Sequence, residues 1–269
     1  MPMNFVKPKS ISFSSRIFVI GDIHGCAREL DAMLLSLQKS RSLSEDDTII
    51  FLGDYIDRGP ESFEVVELLL DFKKSFPKTL FLKGNHEDML LAFLGLEGNN
   101  PSAYLSNGGY ETLLSYGIDV KSDKSNKLSE AFSKEHLDFY QNLDELLYSD
   151  HFIFVHAGLN PLRTIEKQTL DDVCWIRQKF LKNIHPFEKV VFYGHTPTPK
   201  VNFDLPYRVG VDTALVFGSR LSCIELTEHE IFEVKKGSRK VSSKSMPKKA
   251  IEYFNALKAK DILARSKAK

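Results

Sequence analysis

Eight polar residues of metal-ligand or acid–base type fall in five short, glycine-flanked segments of the 269-residue chain. They are Asp22 and His24 in GDIHG, Asp54 and Asp57 in GDYIDRG, Asn85 and His86 in GNHE, His156 in HAG, and His195 in GHT. The donors are nitrogen and oxygen, without thiolate. Such a set suits borderline or hard divalent cations such as Mn, Fe or Zn, not a structural cysteine–zinc site. A carboxylate between two cations can bridge them and reduce their repulsion. Two ions roughly 3.5–4 Å apart can clamp a phosphate and deprotonate a bridging water for in-line attack. Alone, Asp-x-His reads as a capping Asp beside a core His, and HAG or GHT carries almost no signal. GDYIDRG and GNHE are longer and specific, and the five in this order are not an accident of composition.

These residues need elements that bring them to one place. RIFVI (16–20) reads as a buried strand, followed by a helix with Leu30, Met33, Leu34 and Leu37 on one face. TIIFL (48–52) is a second strand, followed by a helix over 61–76 whose apolar face includes Val65, Val66, Leu69 and Leu70. TLFL (79–82) is a third, followed by a short helix to about Leu94. Three β-loop-α turns imply a largely parallel sheet with helices outside. HFIFVHAG (151–158), VVFYGHTP (190–197), YRVGVDT (207–213), RLSCIEL (220–226) and EIFEV (230–234) suggest a second, mixed sheet. The chemistry-bearing residues each follow a strand directly. In open sheets of this kind ligands bind at the carboxyl edge, where the five strand ends converge.

The domain plan has an N-terminal extension (1–15), a catalytic domain (16–234) and a basic tail (235–269). Residues 95–145, with the loop SNGGY and a polar Lys/Ser stretch at 121–129, read as an inserted, mostly helical cap. The tail is expected to form a helix with a ragged stripe of Ile251, Phe254, Leu257 and Ile262. Lys+Arg and Asp+Glu number 36 each, yet the tail holds 12 cations against Glu252 and Asp261, leaving the body at −10. The tail is either a solvated segment folded back on that body or a dock for nucleic acid, an acidic partner or an anionic membrane. Its deletion is expected to leave hydrolysis of a small aryl phosphate unchanged. An apolar fraction of 42% excludes disorder throughout. No 18-residue apolar run and no secretory h-region is present. Cys26, Cys174 and Cys223 form neither a disulfide framework nor a CxxC site, so a reducing cytoplasmic compartment is expected.

The set GDIHG…GDYIDRG…GNHE…HAG…GHT resembles the phosphoprotein phosphatase family of calcineurin-like metallophosphoesterases, closest to the bacterial and bacteriophage-lambda serine/threonine phosphatase type. The resemblance spans about residues 16–226. It implies a β-sandwich of two mixed sheets flanked by helices, four αββα layers in all, with two divalent metal ions. Manganese is expected, with Fe, Zn, Ni or Co as alternatives. Residue by residue, Asp22 and His24 would bind the first ion, Asp54 would bridge, and Asn85, His156 and His195 would bind the second. His86 would be the general acid and Asp57 would orient it, a neighbouring carboxylate favouring the imidazolium. Arg58 and Arg177, with Asn85, would hold the phosphate, Arg by its planar fork. A surface pair with Asp171 or Asp172 is the bland alternative for Arg177.

The same fold includes symmetrical diadenosine tetraphosphate hydrolases. Those carry Ala at the position of Asp57 and Asp at that of Glu87. Both positions here match the protein-phosphatase form, so the expected activity is phosphomonoester hydrolysis on Ser/Thr phosphoprotein, with dinucleoside tetraphosphate or other nucleotides as the alternative. A catalytically silent nucleic-acid-binding protein is the distant one. Substrate choice should reside in the cap. Asn107–Gly109 is expected to be a simple turn, Trp175 core, and Cys26 a buried inert thiol.

Overall fold

The computed structural model describes residues 5–120 and 128–267, with side chains described as far as Lys258. The polar stretch expected from 121 to 129 therefore lies mostly outside the described residues, as does the side chain of Ile262. The chain runs β1 (Pro8–Ser10), β2 (Ile17–Ile20), α1 (Ala27–Ser40), β3 (Thr48–Phe51), α2 (Ser62–Ser75), β4 (Thr79–Phe81) and α3 (Asn85–Phe93). The insert contributes α4 (Gly109–Ser115) and α5 (Lys134–Gln141). Then follow β5 (Leu146–Tyr148), β6 (Phe152–Phe154), α6 (Leu170–Trp175), α7 (Gln178–Leu181), β7 (Val190–Tyr193), β8 (Asn202–Asp204), β9 (Arg208–Gly210), β10 (Arg220–Glu225), β11 (Glu230–Lys235), β12 (Val241–Ser245) and α8 (Lys248–Lys267).

Two six-stranded mixed sheets result, ordered β1-β5-β6-β7-β9-β8 and β12-β11-β10-β2-β3-β4. Side chains alternate across each strand. Val19, Ile50 and Leu52 of one sheet meet Phe154, Phe192 and Val209 of the other in a shared core. On the opposite faces Phe18, Ile20, Ile49 and Phe51 pack under α1, α2 and α3, and Ile153, Val155 and Val191 pack under α6 and α7. The architecture is thus α/β, two mixed sheets flanked by helices. The i, i+3, i+4, i+7 stripe of α1 (Leu30, Met33, Leu34, Leu37) is fully buried or nearly so, the outcome its spacing predicts.

Three expectations differ. RLSCIEL and EIFEV do not join the later strands: β10 pairs antiparallel with β2, and β11 extends that first sheet. The boundaries at 15 and 234 do not coincide with the edges of the sheets. β1 pairs in parallel with β5 and Val6 is buried, so the N-terminal stretch is part of a sheet. Beyond 234, β12 pairs with β11, and Met246, Ala250 and Phe254 enter the core between the sheets. Lys236, Arg239 and Lys244 pair with Glu29, Asp31 and Glu233 of the body. The first part of the tail folds back, and nothing in it favours a dock for nucleic acid. Among the described residues no helix is long and apolar enough to cross a membrane.

Candidate active site

Strands β2, β3 and β4 are parallel neighbours, and so are β6, β7 and β9. Their carboxyl ends form one edge in each sheet; the loops leaving these ends carry Asp22, His24, Asp54, Asp57, Arg58, His156 and His195, and Asn85 and His86 open α3 just past β4. These loops are tight. His24, Asp54, Asp57, Arg58 and His195 all have φ between 50° and 71°. Such a conformation costs a non-glycine residue about 1–3 kcal/mol, so the surrounding packing must enforce it. Gly84 and Gly194 are required by proximity: a Cβ would lie 2.2 Å from Asp54 Oδ1 at the first and 2.1 Å from Asp22 Oδ1 at the second.

The donor set meets at Asp54. Its Oδ2 lies 3.5 Å from His24 Nε2 and its Oδ1 3.3 Å from His156 Nε2, so one carboxylate faces histidines from both sheets. Asn85 Oδ1 is 3.1 Å from His156 Nε2 and 2.8 Å from His195 Nδ1. His24 Nδ1 and His156 Nδ1 contact the backbone carbonyls of Ile56 and Leu52 at 2.9 and 2.8 Å. Donation there fixes the tautomer and turns each Nε2 lone pair inward. Burial lowers His24 to about 3 and His195 to about 2, which keeps both rings neutral, as a ligand must be. Against burial, chiefly His156 holds Asp54 well below the usual carboxylate range, and Asp54 in turn raises His156. Asp22 accepts the His195 N–H through Oδ2, while its buried Oδ1 has no partner. Burial, with Asp212 and Asp54 nearby, pushes Asp22 up. Converging lone pairs, an orphaned carboxylate oxygen and buried like charges are what a cation relieves. The residues would suit two divalent ions: two groups of possible ligands, His24 with Asp54 and His86, and Asp54 with His156 and His195, share Asp54.

His86 and Asp57 form a separate pair. His86 Nδ1 lies 2.6 Å from Asp57 Oδ2, and Thr112 Oγ1 donates to Asp57 Oδ1 at 2.6 Å. Burial lowers His86 to about 4 and raises Asp57, in contrast to the expected imidazolium. Desolvation outweighs the carboxylate here, and both shifts favour a pair without net charge. That pair keeps a proton on His86 Nε2 whether the other proton sits on the ring or on Asp57. Nε2 itself is buried and unpartnered, and its ring meets that of His24 edge-on at 4.7 Å.

Arg58 donates from Nη1 to His24 Nε2 at 2.8 Å. Its backbone N–H donates to Gly108 O at 3.0 Å. Asn107–Gly109 is a turn that leads into α4, as expected, and it also supports Arg58. Arg177 is exposed at the start of α7, and its charge depresses His86 and His195 from a distance. Asp172, offered as its bland partner, instead pairs with Arg163. Trp175 is half-buried and packs against the core, as expected, with its ring 6.3 Å from that of His195. Burial pushes the Cys26 thiol up to about 11.

Sequence reasoning passed over three residues that the structure brings in, and gave a fourth, Glu87, another role. Asp212, just past β9, is buried beside Asp22, and burial with Asp54 nearby raises it to about 6. A polar residue after an apolar strand was the available signal. Thr112 and the buried Tyr104 come from the insert and carried no motif. Glu87 acts on the backbone: Oε2 accepts from Gly84 and Asp54, Oε1 from Tyr55.

A fold of two stacked mixed sheets, with a His/Asp centre at their shared edge, defines a phosphoesterase class. The model of the calcineurin-like phosphoesterases matches residues 15–219, and the chain belongs to that family, whose members use a dinuclear metal centre. Among curated proteins it is similar to the asymmetrical bis(5'-nucleosyl)-tetraphosphatase PrpE of Oceanobacillus iheyensis, 29% identical over 244 residues, which cover 81% of this chain and 92% of that one. The protein of the same name from Bacillus thuringiensis is 27% identical over 238 residues, 80% and 92% of the two chains. Among solved structures it is similar to a candidate diadenosine tetraphosphatase (TM-score 0.62, 21% identity, 86% of this chain and 98% of that one). It is also similar to a cold-active protein-tyrosine phosphatase of a psychrophilic Shewanella (TM-score 0.57, 15% identity, 88% and 82%).

Proposed function

We propose that this metal-dependent phosphoesterase hydrolyses nucleoside polyphosphates, with dinucleoside tetraphosphates cleaved off-centre as the substrate class. The observation that carries this reading is the similarity to asymmetrical tetraphosphatases over 92% of their length. The two positions that favoured phosphoprotein, Asp57 and Glu87, are both fully buried. Glu87 is spent on loop amides, and Asp57 is enclosed by His86, Thr112 and Ser62. Glu87 thus braces the backbone, and Asp57 acts only through His86.

Asp22, His24, Asp54, Asn85, His156 and His195 would hold two divalent cations. Bound there, the cations supply Lewis acidity toward phosphate oxygens and toward water. Arg58 and Arg177 hold the phosphate oxygens from the open side, and Asn85 assists. His86 gives its Nε2 proton to the leaving oxygen, and Asp57, braced by Thr112, fixes the ring for that transfer.

The test is chromatography of products from diadenosine tetraphosphate with Mn²⁺, beside a phosphoserine peptide and an EDTA blank. Release of ATP with AMP supports the reading, and H86A should lose roughly 10²–10⁴-fold in kcat. Two ADP per substrate, or turnover of the peptide alone, overturns it.

A further inference from the structure

Phe217 is 65% exposed, an uncommon state for a phenylalanine, and it stands beside the site. The guanidinium carbon of Arg58 lies over its ring, 5.3 Å from the centroid, and Arg58 in turn touches His24. The ring is held out by a rigid turn. Phe217 N–H and Ser219 N–H both donate to Ala214 O at 3.1 Å, and Gly218 N–H donates to Leu215 O at 3.0 Å. Ala214 N–H donates to Asp212 Oδ1 at 2.9 Å, which ties the turn to the metal-site edge, and Leu215 beneath it is buried. An aromatic surface carried on a hydrogen-bonded turn and left wet loses less ordering entropy when a flat ligand covers it than one on an open loop.

We propose that Phe217 is the platform on which the base of a nucleoside polyphosphate stacks while Arg58 holds a phosphate of the same molecule. The proposal rests on the nucleotide reading above and adds the element that selects for a base. The guanidinium covers one face of the ring by cation–π contact. The other face is free for a base, whose π-surface stacks without regard to its hydrogen-bonding edge. The same geometry predicts tolerance: purines should be accepted ahead of pyrimidines through stacking area, with no strict choice between adenine and guanine.

The test uses the full-length Mn²⁺-loaded protein and inhibition of aryl phosphate hydrolysis by AMP, ribose 5-phosphate and inorganic phosphate. In the wild type AMP should bind about tenfold tighter than ribose 5-phosphate, the order of one base–aromatic stack. F217A should abolish that ratio while the inhibition constant of inorganic phosphate moves by less than about twofold. F217W should preserve the ratio. Equal weakening of all three inhibitors in F217A would show that Phe217 only steadies Arg58, and would overturn the proposal. So would a wild-type ratio near unity. If the AMP preference holds and depends on Phe217 while diadenosine tetraphosphate is not hydrolysed, the substrate reading fails and the stacking site stands.

Discussion

Replacing Glu87 by Gln changes one atom of a side chain that four amides use. Oε1 accepts the Tyr55 N–H at 2.8 Å and, more distantly, that of Ile56 at 3.4 Å. Oε2 accepts the N–H groups of Asp54 and Gly84, each at 3.0 Å. A glutamine must turn its NH2 toward one of these pairs. The cheaper orientation gives up Oε1, so that the Tyr55 N–H faces a donor and the long Ile56 contact is lost. An orphaned buried amide costs about 1–3 kcal/mol, and with the donor–donor contact we expect a loss of about 2–4 kcal/mol. At about 2–4 °C per kcal/mol, E87Q should melt roughly 10 °C below the wild type. The assay is thermal unfolding of the full chain in EDTA, repeated with Mn²⁺, whose stabilising effect should also shrink because the displaced amides carry the Asp54 loop. Burial and the Asp54 charge push Glu87 up to about 8, which opposes this reasoning. A protonated carboxyl would already present a hydroxyl to one pair of amides, and Gln would then be a close mimic. Four amides aimed at two oxygens favour the ionised form. A variant melting within about 2 °C of the wild type would refute that and show the protonated form.

Two further outcomes concern stability. Phe254 of α8 is 3% exposed and stacks near Phe192 and Phe152, so F254A should cost about 3–5 kcal/mol, read as a fall in Tm, and removal of residues 235–269 should cost more. An unchanged melting curve would mean that α8 is not docked in solution. Just before β3, Arg16 with Ser44 and Ser15 holds Asp47 at about 2 in spite of burial. A depressed folded value contributes stability above the unfolded value of about 3.9 and loses it as pH falls through about 2. D47N should therefore be less stable than the wild type at neutral pH, with the difference closing between about pH 4 and pH 2. A difference in Tm that does not vary with pH would contradict this assignment.

Much of the site was legible because each ligand-type residue stands just past an apolar strand. Periodicity located the strands, and glycine marked the close approaches. Asp212 has the same position but lies in VGVDT, with no glycine beside it, and did not stand out. Thr112 and Tyr104 could not be read at all, since the placement of the insert is decided by tertiary packing. Glu87 was legible as a residue and misjudged in its role, because burial turns a candidate specificity marker into a brace for the backbone. In the fold, the missed strands β1, β5, β8 and β12 are short, and β12 reads VSSKS, without apolar alternation. Pairing of β10 with β2 joins residues two hundred positions apart, and nearness in sequence pointed to the wrong sheet.

The centre draws its ligands from both sheets, and that makes it a fastener as well as a reaction site. Asp22 leaves one sheet and His195 the other, 173 residues along the chain, and they meet where the His195 backbone N–H donates to Asp22 Oδ2. Cations held among Asp22, His24, Asp54, Asn85, His156 and His195 would rivet the two halves of the sandwich at its open rim. They would act as a cross-link closing a loop of that length, with an entropic grip that grows with the logarithm of the loop. Stripping the ions would then do more than silence hydrolysis. It would leave buried carboxylates pushing the rim apart, so breathing of the two sheets against each other should begin at this edge, and metal supply would set how long the folded protein lasts.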